Sequence, residues 1–169
     1  RNANNTASTP FEMPVGVHDC TFKNVPTLCC HLGSAINTAG NTMSWEFYRN
    51  WCDTVNTNLG TGGLLYVQTT GGTKRHAWGN YIRNALNGTG NCNIDGCGLY
   101  ADVSSQNAVF VNNVFERCGV AVQFNSAINI NVIGNLFVDC WRAVTATGTG
   151  SDNTPNLGGG ITHNTWLWT

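Results

Sequence analysis

Apolar and polar positions alternate most clearly between residues 99 and 146. Leu99, Ala101 and Val103 alternate with Tyr100 and Asp102, and Val120, Val122 and Phe124 alternate with Ala121 and Gln123. A period of two, rich in β-branched and aromatic residues and broken by Gly and Asn, predicts short strands rather than amphipathic helices. Carried through the strand after each turn, it points Leu99, Ala101, Val103, Val120, Val122, Phe124, Val144 and Ala146 inward. Tyr66, Gln68, Tyr100, Asp102, Ala121, Gln123 and Thr145 then share one outward face.

A longer regularity is laid over the alternation. The segments 113–122 and 135–144 match at Asn, Phe, Cys, Ala and Val when one is laid on the other. The frame Asn-x-aromatic-x-x-small can be followed to starts at 20, 46, 80, 113, 135 and 164. Self-similarity of this kind predicts a solenoid, each repeat being one coil that cannot bury its apolar face alone. With strands instead of helices, the expected fold is all-β: a parallel β-helix of about six coils, each of roughly 22–34 residues. It forms a single domain over 1–169 behind an extended segment, 1–10. Equivalent positions should stack at about 4.8 Å. Phe22, Tyr48, Ile82, Phe115, Phe137 and Trp166 then form an interior row, and Asn80, Asn113, Asn135 and Asn164 an amide ladder at a turn.

Composition sharpens this reading. The chain has 24 Asn, 20 Gly and 20 Thr among 169 residues, and only 10% are charged, against about 25% in an average domain. Such residues favour tight turns over helices. The net charge is −1 with no basic run, so nucleic acid is not an expected partner. No apolar stretch approaches the length of a spanning helix, so no membrane insertion is expected. There is no initiator Met and no signal-peptide pattern. The aromatic-rich, uncapped last residues predict an excerpt of a longer β-helix, with coils or an assembly beyond both ends.

Eight cysteines, with sequons at Asn4 and Asn87, predict a secreted, disulfide-containing glycoprotein. Cys118 and Cys140 hold the same slot in successive coils. Their Cα atoms should lie about 4.8 Å apart, within the range a disulfide tolerates. The competing expectation is a ladder of two reduced thiols. Cys92 and Cys97 flank an Asp-Gly turn and should bridge locally. Cys20 and Cys52 should each take one of Cys29 and Cys30. No zinc-finger spacing recurs, so neither a metal nor any other cofactor is expected.

The outward face sets Tyr66 and Tyr100 beside Gln68, Gln123 and the Asp102 carboxylate. That mixture suits a neutral sugar, whose C–H face packs on aromatics while its hydroxyls take hydrogen bonds; the bland alternative is an ordinary solvated sheet. Glycoside hydrolysis needs two carboxyls, and Asp95 is the only acid expected near Asp102. Asp102 could equally cap strand-end amides. Glu116 with Arg117, and Asp139 with Arg142, read as ion pairs, and Lys74-Arg75-His76 as a solvated turn.

Residues 113–118 and 135–140, with Gly98-Leu99-Tyr100-Ala101-Asp102 ahead of Ser104-Ser105, resemble right-handed parallel β-helix repeats of pectate-lyase-like proteins. Within these, they are nearest to the β-helical glycoside hydrolases. The resemblance covers residues 76–146 best. It implies a right-handed winding, a polysaccharide partner, and hydrolase or lyase chemistry if the site is catalytic. The alternative is a non-catalytic structural or adhesive module of a matrix, cell wall or appendage.

Overall fold

The computed structural model describes residues 15–25, 30–33, 44–55, 63–68, 75–85, 97–102, 105–147 and 157–169. No helix occurs among them, and seventeen strands do. The chain lays them down in threes. The first coil is Val15–His18 (β1), Thr21–Val25 (β2) and Cys30–Gly33 (β3), and the second is Trp45–Tyr48 (β4), Trp51–Val55 (β5) and Gly63–Gln68 (β6). The third is Arg75–Trp78 (β7), Tyr81–Arg83 (β8) and Cys97–Ala101 (β9), and the fourth Val109–Val111 (β10), Val114–Glu116 (β11) and Val120–Asn125 (β12). Ile128–Ile133 (β13), Leu136–Val138 (β14) and Arg142–Thr147 (β15) make the fifth, with Leu157–Thr162 (β16) and Thr165–Leu167 (β17) after them.

Every third strand joins the same sheet. Sheet A runs β1-β4-β7-β10-β13-β16, sheet B β2-β5-β8-β11-β14-β17, and sheet C β3-β6-β9-β12-β15. All pairings are parallel. Three parallel sheets sharing one core are consistent with a β-solenoid.

Two stacked rows hold the first corner. In sheet B the interior row is Phe22, Cys52, Ile82, Phe115, Phe137 and Trp166. Phe115 and Phe137 stack with centroids 5.3 Å apart, and Phe137 and Trp166 with centroids 5.7 Å apart. Tyr48, expected here, instead faces outward in sheet A, and Cys52 takes its place. The row is sealed in its middle, but Trp166 remains 57% exposed.

At the short turn between sheets A and B stands the amide ladder, with Asn50 as a further rung. The Oδ1 of Asn113 accepts both the backbone N–H and the Nδ2 of Asn80, at 3.1 and 2.8 Å. Its own Nδ2 donates to Asn135 Oδ1 and to Ala77 O, each at 3.0 Å. The same pattern joins Asn50 to Asn80 and Asn135 to Asn164. Cys20 fills the first slot, where its N–H donates to Asn50 Oδ1. Four bonds per interior rung satisfy every donor proton and both lone pairs of the amide.

The turns explain the Asn- and Gly-rich composition. At the A–B turn Asp19, Arg49, Gly79, Asn112, Gly134 and His163 all have positive φ. So do Asn24 and Thr54 near the ends of β2 and β5, and Asn84, Arg117 and Asp139 just after β8, β11 and β14. Asn and Gly visit this left-handed region at least cost.

Sheet C departs from strict alternation. Ala121 and Val122 both join the core, while Val120 packs outside with Cys97 and Tyr100. Ala143 and Val144 both pack against the same core. Gly98, one coil earlier, shows why small residues sit here: a Cβ would stand 2.8 Å from Ala121 O and 3.2 Å from the Phe115 ring. The expectation that Val120 faces in and Ala121 out is therefore corrected, because a local break puts two consecutive residues on the inner side.

Candidate functional site

The Asp102 carboxylate gathers part of the expected face. Beyond the break in sheet C the alternation resumes, so Leu99 and Ala101 enter the core while Tyr100 turns away from it. Tyr100 pairs in register with Tyr66 on one side and Gln123 on the other, and Gln123 with Thr145. The Tyr100 hydroxyl donates to Asp102 Oδ1 at 2.8 Å, and the Asn125 amide donates to the same oxygen at 3.1 Å. Asn125 was not expected; it is the next residue after Gln123 on the same side of the strand, and that spacing was the signal available.

This cluster is closed rather than open. Tyr100 is 4% exposed and Gln123 1%, so the expectation that both line an open groove is corrected: outward orientation away from the core does not equal solvent exposure. Burial, reinforced by the nearby Asp102 charge, holds the Tyr100 phenol far above its usual ionisation range. Gln123 Nε2 is buried without a hydrogen-bond partner among the described residues, a costly condition for an amide. Tyr66 and Gln68 are described by backbone register alone. Asp95, the other expected acid, lies outside the described residues, as do Asn4, Asn87, Lys74, Cys29 and Cys92.

No family model, curated protein or solved structure matches the chain.

The other outer faces carry ladders of their own. In sheet A the rings of His18, Tyr48 and Trp78 stack with centroids 4.6 Å apart at each step. In sheet B Trp51 lies against Tyr81, again at 4.6 Å. Arg83 spans from the Trp51 ring to Asp53, its Nη2 2.7 Å from the carboxylate. The Arg83 guanidinium holds the Asp53 carboxyl well below the usual range. The ring pairs and the Asp53–Arg83 pair share one sequence offset, the same as that between Asn50 and Asn80, and this common offset is the signal that would have revealed them together.

Two expected charge groupings change. Glu116 pairs with Arg117 and accepts the Tyr81 hydroxyl, but Asp139 takes the N–H and hydroxyl of Thr169, at 2.8 and 2.7 Å, in place of Arg142. Arg75 is 2% exposed and donates to Gln106 O; it is an inward strand residue, not part of a solvated turn. Among the described residues no group of three or more His, Cys, Asp or Glu side chains could hold a metal ion.

No disulfide joins two described cysteines. Cys118 and Cys140 do occupy equivalent positions in successive coils, each just after the paired strands β11 and β14. Their sulfurs, however, turn onto carbonyls: Cys118 Sγ is 3.6 Å from Glu116 O, and Cys140 Sγ is 3.5 Å from Val138 O. In a parallel stack equivalent Cβ atoms point the same way, whereas a disulfide needs them turned toward each other. The reduced ladder is the arrangement found. The neighbouring Cys140 thiol and burial together push the Cys118 thiol above its usual range. Cys97 is buried, with its expected partner Cys92 outside the described residues. Cys20, Cys30 and Cys52 sit in three different places, β2's leading turn, β3 and β5, without a bridge among them.

Proposed function

We propose that this chain is a right-handed parallel β-helix from a secreted, pectate-lyase-like protein, and that it binds a polysaccharide without cleaving it. The observation that carries this reading is the half-buried Asp102 carboxylate with the Asn125 amide beside it, held over the buried Tyr100 on the outer side of sheet C. An amide and a carboxylate side by side recognise hydroxyls well. Hydrolysis needs a second carboxyl at about 5–5.5 Å or about 6.5–9.5 Å. The described outward neighbours of Asp102 in sheet C are Tyr100, Gln123 and Asn125, none of them an acid. Toward Tyr100 and Asn125 Asp102 acts as a hydrogen-bond acceptor, the same role that a sugar hydroxyl would ask of it.

A structural shaft is the second reading. It is favoured by the self-completed amide ladder, which needs no ligand for its stability. Retention on insoluble or immobilised xylan, β-glucan, mannan and pectin, with reducing ends assayed in the same samples, separates the readings. The expected result is retention on a neutral polysaccharide with no new reducing ends. New reducing ends that disappear in Asp102→Asn would establish hydrolysis instead. Absence of retention on all four polymers would leave the shaft.

A further inference from the structure

We infer that the outer face of sheet A carries a second, separate saccharide subsite, built over Gly16 and walled by Glu46, His18 and Tyr48; the ligand class rests on the function proposed above. The site begins with a missing side chain. Gly16, Glu46 and His76 are register neighbours on the outward side of β1, β4 and β7. Beside them runs the row His18, Tyr48 and Trp78. Glycine in the first row leaves a cleft of about 120 Å³, whose walls include Ser44, Glu46, His18 and Tyr48. A Cβ placed on Gly16 would meet only His18 Cδ2, at 3.6 Å. The space is therefore open, and one edge of the imidazole borders it.

The walls are preorganised. His18 Nδ1 is bound to Asp19 Oδ2 at 2.8 Å, and Arg49 Nε donates to Asp19 Oδ1 at 2.8 Å. Arg49 in turn lies 5.0 Å from the Tyr48 ring centroid. With Nδ1 engaged, the Cδ2–Nε2 edge of His18 is the one left toward the cleft. The ring stack fixes that edge against rotation. Fixed walls of this kind reduce the ordering cost of binding.

The chemistry selects a neutral sugar ring. Glu46 supplies a two-oxygen acceptor for adjacent hydroxyls, and His18 a second polar edge. The carboxylate disfavours uronic acids. Two candidate ligands, Glu46 and His18, are too few for a metal site. The cleft is far below the roughly 300–1,000 Å³ of a drug-sized pocket, so it seats one residue of a chain that continues along the surface. The rings of Tyr48 and Trp78 are stacked on each other, so they offer edges rather than open faces, and recognition here is by hydrogen bonding.

Isothermal titration with hexasaccharides of β-1,4-glucan, β-1,4-xylan and β-1,4-mannan, and with oligogalacturonate, tests the site. Wild type should bind a neutral hexasaccharide and not the galacturonate. Gly16→Leu, which fills the cleft without a backbone clash, should weaken that binding at least tenfold with an unchanged Tm. Glu46→Gln should weaken it several-fold and lessen the discrimination against galacturonate. Unchanged affinity in both variants overturns the sheet A subsite. If Asp102→Asn then abolishes binding, the glycan reading stands on sheet C alone. Absence of binding by wild type to every oligosaccharide overturns the subsite and the glycan reading together.

Discussion

The turn between sheets A and B and the outer face of sheet C are both built around side-chain amides, and they differ in how those amides are satisfied. At the turn, each interior rung repeats its neighbour, so Asn113 gives and accepts four hydrogen bonds within the ladder. On sheet C the row reads Tyr66, Tyr100, Gln123, Thr145. Only its first two rungs match, each later rung differs from the one before, and the Gln123 amide nitrogen is left unsatisfied among the described residues. Repetition closes a polar row on itself, whereas variation leaves polar groups whose partners must come from elsewhere. A row closed on itself can thus be told from one left incomplete by whether it repeats.

The sharpest way to break the comparison is to remove a rung. Asn113→Leu leaves the Asn80 N–H, one Asn80 amide proton and Ala77 O without these partners in the core. At about 1–3 kcal/mol for each buried group left unsatisfied, the loss should be about 3–9 kcal/mol. Urea denaturation measures it. The control is the exposed Asn107–Asn129 pair, broken by Asn129→Gly, since glycine keeps the positive φ of that position. There a change within about 1 kcal/mol is expected. Equal effects at both sites would show that burial does not decide the value of an amide ladder. Truncating the apolar partner of the ladder, Phe137→Ala, should cost about 3–5 kcal/mol, because Phe137 is 1% exposed between Phe115 and Trp166.

The same contrast explains what could be read from the residues. Asn113 and Asn135, like Phe115 and Phe137, recur at one shared offset in two coils without long insertions, so packing and pattern coincide. In the second coil they do not. Tyr48 looks like the aromatic of the frame, but the true rung is Asn50, and Cys52 fills the Phe slot. An outward aromatic ladder thus imitated the inward one. On sheet C, Leu99 and Tyr100 were assigned correctly to opposite sides, yet the break at Ala121 and the burial of Tyr100 were not legible. Both depend on how neighbouring coils and covering segments pack, which no local alternation encodes.

Sheet C can be probed through the one phenol it is shown to bury. Tyr100→Phe should cost about 1 kcal/mol at neutral pH, the usual net value of a hydrogen bond. Its alkaline signature is more specific. The unfolded chain's tyrosine ionises near pH 10, whereas burial keeps the folded Tyr100 protonated well beyond that. Above about pH 10 the unfolded state therefore binds fewer protons than the native state, and stability falls as pH rises, by up to about 1.4 kcal/mol per pH unit. Below that pH the contribution is fully present. Unfolding curves from pH 8 to 11 should show the slope reduced in Tyr100→Phe. An identical slope in the variant would mean that Tyr100 is accessible to solvent and that the face is open.

The smallest expected effect tests the turns that hold both regions in place. Thr54 sits near the end of β5 at φ 55°, just after Asp53, which pairs with Lys23 and Arg83; the residues that follow those two, Asn24 and Asn84, have φ of 54° and 52°. A β-branched residue fits this left-handed region poorly, because Cβ crowds the following carbonyl. Asn tolerates it better, and the flanking coils already use Asn. Thr54 offsets part of the strain by donating its hydroxyl to Asp53 Oδ1 at 3.1 Å. That contact is partly exposed, and Asp53 keeps Arg83 and the Asn84 amide as partners. Relief of backbone strain should therefore outweigh the lost hydrogen bond. Thr54→Asn is expected to stabilise the fold by about 0.5–1 kcal/mol, a size comparable to other substitutions that match side chain to backbone conformation. A decrease in Tm for Thr54→Asn would place the hydroxyl contact above the strain, and the conformation of the turn would then be held by Asp53 rather than tolerated by residue type.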